Sequence, residues 1–149
     1  MRTTPPLYEQ DFYAWTQEQA ALLRKGVVHD LDLTHLAEEI ESLGKSDRRA
    51  LGSHLRTLVM HLLKWQYQPD GRLTGHSWES SILNARAEIT ELVEDSPSLE
   101  REVPGLLTRW YPLARRQAAA ETRLPLPTFP TTCPWTPEHV LDADFWPEN

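Results

Sequence analysis

The stretch Leu51-Gly-Ser-His-Leu-Arg-Thr-Leu-Val-Met-His-Leu-Leu-Lys-Trp65 decides the fold. Leu51, Leu55, Leu58, Leu62 and Trp65 recur every three or four positions, the period of an α-helix with one apolar face. Upstream, Leu36, Ile40 and Leu43 keep the same rhythm. Asp32 stands where a carboxylate accepts the free amides of a first turn. The spacing therefore predicts helix over 33–68, stopped at Gln68-Pro69-Asp70-Gly71 because Pro69 disfavours helix at the residue before it. Gly44 leaves two readings. It ends one helix, with Ser46 capping the next, or it weakens a single long helix by about 1 kcal/mol relative to alanine.

Working outward, the same period appears on both sides. Residues 8–25 form an amphipathic helix between Pro5-Pro6 and Gly26, with Tyr8, Phe12, Trp15, Leu22 and Leu23 on its apolar stripe. Residues 78–94, capped by Ser77, carry Trp78, Ile82, Ala85, Ile89, Leu92 and Val93 inward. Ser96-Pro97 opens a fourth helix reaching about residue 121, with Val103, Leu106, Leu107, Trp110, Leu113 and Ala114 facing the core. Pro104 and Pro112 interrupt that pattern, since each lacks an amide donor and crowds the preceding turn. A break or new start near Pro104 and a kink at Pro112 are expected. Residues 124–135 then hold four prolines, which excludes helix and favours extension. Leu126, Phe129 and Trp135 are the expected anchors of this tail. Thr136-Pro137-Glu138 begins a short terminal helix.

The expected architecture is all-α: an antiparallel bundle of four main helices in one domain over residues 1–149. Residues 1–7 are expected to be flexible, and 124–149 to dock on the bundle. Trp15, Trp65, Trp78 and Trp110 each fall on an apolar stripe and are expected between helices. The chain has 149 residues, enough for one core. Lys plus Arg is 15 against 22 Asp plus Glu, a net charge of −7 that argues against a general nucleic-acid binder. The charge is uneven: residues 8–44 are net −6 and residues 45–86 net +4. The bland reading is that the basic segment packs between acidic neighbours; the sharper one is a basic patch for an anionic ligand. Cys133 is the single cysteine, so no internal disulfide forms. No apolar run is long enough to cross a membrane, and no signal peptide is expected, so the cytoplasm is the default location.

Several ordered motifs carry a resemblance. They are Tyr8-Glu-Gln-Asp-Phe-Tyr-Ala-Trp-Thr, Leu36-Ala-Glu-Glu-Ile-Glu-Ser-Leu-Gly and His61-Leu-Leu-Lys-Trp-Gln-Tyr-Gln-Pro, followed by Ser77-Trp and Glu94-Asp-Ser-Pro-Ser-Leu. Leu124-Pro-Leu-Pro-Thr-Phe-Pro, Cys133-Pro-Trp and Leu141-Asp-Ala-Asp-Phe-Trp-Pro complete the order. In these the chain resembles the bacterial family catalogued as domain of unknown function 29, from about Tyr8 to Pro147. The resemblance implies a small all-helical cytoplasmic protein. It implies no activity, and so brings no catalytic residues with it. Pro112 departs from the helix former expected there.

The candidate site residues come from helical phase. Asp47, His54 and His61 recur every seven positions, in the same arc as Leu51, Leu58 and Leu62. Arg86 borders the facing stripe. Together they are expected to form a connected polar layer inside the bundle, with Asp47 beside Arg86 and Glu79 or Glu88 as substitutes. A structural role is the first reading, and a ligand or catalytic role for the histidines the second. His35 and Glu39, one turn apart, resemble a helical metal pair. The Glu-x-x-His pattern of a di-metal bundle is missing, so that segment reads as a solvated acidic face and no metal or cofactor is implied. Cys133 reads as a small buried residue. Two functions stay open: a non-enzymatic protein-interaction module, with or without self-association, or a hydrolase-like or metal-dependent enzyme using the His54, His61 and Arg86 region.

Overall fold

A computed structural model of the chain describes residues 6–74 and 76–148. The described residues contain seven α-helices and no strand, and four of the helices are long. They are α1 (Leu7–Gln10), α2 (Phe12–Lys25), α3 (Leu33–Tyr67), α4 (Asp70–Thr74), α5 (His76–Asp95), α6 (Val103–Thr122) and α7 (Pro137–Leu141). Two 3-10 turns, Pro97–Glu102 and Leu126–Thr128, complete the order. The chain divides into two compact units, Met1–Lys45 and Ser46–Asn149, with the boundary inside α3. Of the expected flexible segment 1–7, residues 1–5 lie outside the described residues, and Leu7 already opens α1.

In the first unit the expected helix 8–25 is divided. Asp11 leaves the helical region at φ −151°, ψ 89°, and its side chain accepts from the Ala14 amide. An aspartate that can cap a following turn competes with helix continuation, which is the physical reason for the break. The stripe of α2 is also narrower than expected. Trp15 and Gln19 are its buried residues, while Phe12 and Leu23 are about half exposed. Gly26, in the left-handed region at φ 71°, ends α2. Gly44 does not end α3, which runs unbroken from Leu33 to Tyr67.

The second unit holds the core. Leu51, Leu55, Leu58, Val59, Leu62 and Leu63 of α3 pack with Ile82, Ala85 and Ile89 of α5, and with Val103, Leu106, Leu107, Ala114 and Ala118 of α6. Gln68-Pro69-Asp70-Gly71 stops α3 as expected, but the short α4 begins at once from Asp70. Helix α5 starts at His76, so Ser77 lies inside it rather than before it. At the fourth helix, a 3-10 turn occupies Pro97–Glu102 and α6 starts afresh at Val103, with Pro104 in the first turn, where a missing amide costs nothing. Pro112 sits within α6 without ending it. Its inward face differs from expectation at two places: Tyr111 is buried, and Leu113 is 37% exposed. The true stripe, Val103, Leu107, Tyr111, Ala114, Ala118, follows the 3.6-residue period more closely than one through Leu113.

The tail is anchored more selectively than expected. Phe129 is 1% exposed and meets Tyr67 edge-on at 5.4 Å. Trp135 is half-buried, but Leu126 is exposed. Leu126 belongs to a 3-10 turn, in which Thr128 N–H donates to the Pro125 carbonyl at 2.9 Å, so the segment is not extended throughout. From α6, Arg115 holds the tail's backbone, donating to the carbonyls of Phe129 (3.0 Å) and Leu126 (3.2 Å), and Tyr111 Oη donates to that of Pro130. Thr136 caps α7 by accepting from His139 N–H at 3.2 Å, as expected.

Of the four tryptophans expected between helices, Trp15 is buried and Trp65, Trp78 and Trp110 are half-buried. Each half-buried indole carries a cation over its ring: Arg72 on Trp65 at 5.2 Å, Lys64 on Trp78 at 4.8 Å, Arg56 and Arg109 on Trp110. Large indoles at the rim of a stripe commonly take this arrangement, apolar inward and covered by a cation outward.

Candidate functional site

The polar layer is not assembled as expected. Asp47 is exposed on α3, and His54 and His61 are half-buried. His61 Nδ1 meets the Thr57 carbonyl of its own helix at 2.8 Å, and burial pushes its pKa below the ordinary value. Arg86 is 4% exposed, yet its Nε donates to the Val140 carbonyl at 3.0 Å rather than to a carboxylate. Its guanidinium lies 5.7 Å from the Trp146 ring, and both terminal nitrogens are buried without a partner among the described residues. Burial lowers its pKa, with Asp142 opposing, but an arginine stays charged. Neither Asp47, Glu79 nor Glu88 pairs with it among the described residues.

The reason for this correction is helical phase. At about 100° per residue, Asp47, His54 and His61 lie roughly 80–120° from the centre of the buried face, at its edge rather than on it. On α3 that face is Leu51, Leu55, Leu58, Val59, Leu62 and Leu63, and the histidines stand on its flank. Arg86 instead fastens α5 to the tail at α7.

A polar cluster that sequence reasoning treated as separate parts occupies the first unit. The Asp32 side chain caps α3, receiving His35 N–H at 3.4 Å. It also accepts from Trp15 Nε1–H at 3.1 Å and meets His35 Nδ1 at 2.6 Å. The Asp32 amide donates to Gln19 Oε1 at 2.8 Å, which explains why a glutamine is buried on α2. The Tyr8 ring stacks on His35 at 3.8 Å, nearly parallel, and its hydroxyl donates to Glu39. His35 and Glu39, expected on a solvated acidic face, are thus engaged with α1, while Glu38 and Glu41 are exposed. The i, i+3 spacing of Asp32 and His35 was the available signal, but only as a capping pattern.

Tyr8, Asp32 and His35 titrate away from their ordinary values. The hydrogen bond to Asp32 raises His35, and the bond from His35 lowers Asp32. The bond to Glu39 pushes Tyr8 up to about 12. His35 therefore adds stability that is complete below its ordinary pKa of 6.5 and lost as pH rises through its higher folded value. Asp32 adds stability that is complete above 3.8 and lost as pH falls through its lower folded value. Following the His35 ring protons by NMR across pH should give a midpoint above the ordinary histidine value, and Asp32→Asn should return it downward. An unmoved midpoint in Asp32→Asn would show that the pair does not form in solution.

The third feature is an exposed apolar line on α3. Leu33, Ile40 and Leu43 are 63%, 67% and 70% exposed, in a segment that also carries the exposed Glu38 and Glu41. In the second unit, a cavity of about 500 Å³ lies between α6 and the tail, lined by Leu107, Tyr111, Pro112, Cys133 and Trp135 among others. Cys133 is part-buried there, its Sγ donating to the Trp135 carbonyl at 3.4 Å, and burial pushes its thiol pKa up, away from a nucleophile. Among the described residues no group of three or more His, Cys, Asp or Glu is placed to hold a metal ion, and no helix is long and apolar enough to cross a membrane.

The family model described as "Domain of unknown function DUF29" matches residues 7–146. No curated protein matches the chain. No solved structure matches it either.

Proposed function

We propose, for a chain that belongs to the DUF29 family, the role of a non-enzymatic protein-interaction module that associates with itself. One observation carries this reading: Leu33, Ile40 and Leu43 stand about two-thirds exposed on one long helix. Scattered single apolar residues need no partner, but three on one helical segment, at intervals of seven and three, form a line suited to burial against another surface. The tight cluster around Asp32 supports a structural part for the first unit, since it holds α1 and α2 on the start of α3 and so presents that line on a fixed helix. For the second unit we propose an antiparallel bundle, supported by the single apolar cluster shared by α3, α5 and α6. We place the module in the cytoplasm, which suits a chain whose single thiol is free. The alternative, an enzyme working at His54, His61 and Arg86, gains no support, since the hydrogen bonds of His61 and Arg86 go to the carbonyls of Thr57 and Val140.

Sedimentation of the full chain over a range of concentrations tests the reading. Reversible self-association is expected, and Ile40→Asp should weaken it at least about tenfold by placing a charge in the buried line. A chain that stays monomeric throughout, or an Ile40→Asp variant that associates like wild type, would overturn it.

A further inference from the structure

The cavity of about 500 Å³ between α6 and the tail differs in chemistry from others on the second unit. Its floor is Leu107 and Tyr111, 5% and 4% exposed, and the tail side is formed by the half-buried Cys133 and Trp135 among others. No charged side chain lines it among the described residues. Cavities of about 360 Å³ and 350 Å³ elsewhere on the unit carry charge on their walls, Arg109 and Arg116 in one, Arg86, Glu91 and Glu94 in the other. A space of about 300–1,000 Å³ with mainly apolar and aromatic walls is the usual form of a small-molecule site.

The α6 wall also carries a hydrogen-bond acceptor that its own helix leaves open. In an α-helix each carbonyl takes the amide of the residue four positions on. Pro112, inside α6, has no amide N–H, so the Thr108 carbonyl lacks that donor. Thr108 and Pro112 are both exposed and both line the cavity, which places this carbonyl at its mouth rather than in the core. Neighbouring donors are turned to other carbonyls. Thr108 Oγ1 donates to that of Pro104 at 3.1 Å, Tyr111 Oη to that of Pro130, and Cys133 Sγ to that of Trp135 at 3.4 Å.

We infer that this cavity binds a small, uncharged, fused-ring molecule that donates one N–H or O–H to the Thr108 carbonyl. The choice of ligand follows from the walls. An ionised ligand is disfavoured, because no wall charge would offset the loss of its hydration. Tyr111 and Trp135 supply aromatic surface for a flat apolar body. The carbonyl supplies the directional contact, and a ligand without a donor would strip it of water and leave it unpaired. A proline-rich peptide fits less well, since proline brings no amide donor to that carbonyl. The site lies within the second unit and is independent of the self-association proposed above.

Titration of the full chain with 2-naphthol and with 2-methoxynaphthalene tests it. The two share their rings, and only the first has an O–H to donate. 2-Naphthol should shift the NMR signals of the Leu107 methyls and the Trp135 indole saturably, and should slow alkylation of Cys133, the single cysteine. 2-Methoxynaphthalene should bind about tenfold more weakly, the cost of an acceptor left unpaired. Pro112→Ala returns an amide donor to the Thr108 carbonyl and should keep or raise the melting temperature. In that variant the preference for 2-naphthol should vanish. No saturable shift with either compound would overturn the inference. So would equal binding of the two by the wild type, or a preference that persists in Pro112→Ala, because the carbonyl would then play no part. Saturable binding of an oligoproline peptide at the same signals, with neither naphthalene binding, would overturn it in favour of a peptide partner.

Discussion

Phe129→Ala should lower stability to urea by about 3–5 kcal/mol, while Leu126→Ala, three residues earlier, should change it by about 0.5 kcal/mol or less. The two residues belong to the same proline-rich segment. Phe129 is among the largest fully buried side chains and lies edge-on to Tyr67, whereas Leu126 is 37% exposed. Removing the Phe129 ring leaves a cavity that the surrounding helices refill only in part. The backbone around it is tied to α6 through Arg115 and Tyr111, so the segment cannot simply collapse inward. Equal costs at the two positions would mean that the tail docks through its whole apolar surface rather than through one anchor.

Trp15→Ala should remove about 3–5 kcal/mol from the first unit, enough to release α2. Trp15 is 4% exposed and the principal apolar residue buried on α2, and its indole N–H is one of the donors that satisfy Asp32. Hydrogen exchange measured by mass spectrometry reads this directly. Protection should be lost over Phe12–Lys25 while the amides of α5 and α6 keep theirs. Trp15→Phe keeps most of the apolar area but not the N–H, and should fall between wild type and Trp15→Ala. Retained protection over α2 in Trp15→Ala would show that Gln19 and the Tyr8 stack hold that helix without the indole.

Much of the fold is legible in the chain because helices are local. Ile82, Ala85 and Ile89 declare a face by spacing alone, and they are buried. Thr136-Pro137 declares a helix start because a hydroxyl at the cap and a fixed φ at the first turn act over three residues. Local rules also misled where two of them competed. Asp11 falls inside the helix that the period predicts over residues 8–25, but its carboxylate caps the next turn instead. Asp47, His54 and His61 share one phase, but it lies about 80–120° from the centre of the face the leucines occupy.

By itself the sequence determined that this chain is helical, where most helices begin and end, and which leucines of residues 51–63 share a face. Those properties follow from hydrogen bonds and side-chain spacing within a few residues of each other. Only the tertiary structure decided that Arg86 ties a carbonyl 54 positions away, that Asp32 gathers Trp15 and His35 as well as capping α3, and that Leu33, Ile40 and Leu43 stand exposed while Leu51 onward does not. A helical pattern states which side chains lie on one side. What covers that side depends on where segments distant in sequence come to rest, and burial, pKa and pairing all follow from that cover.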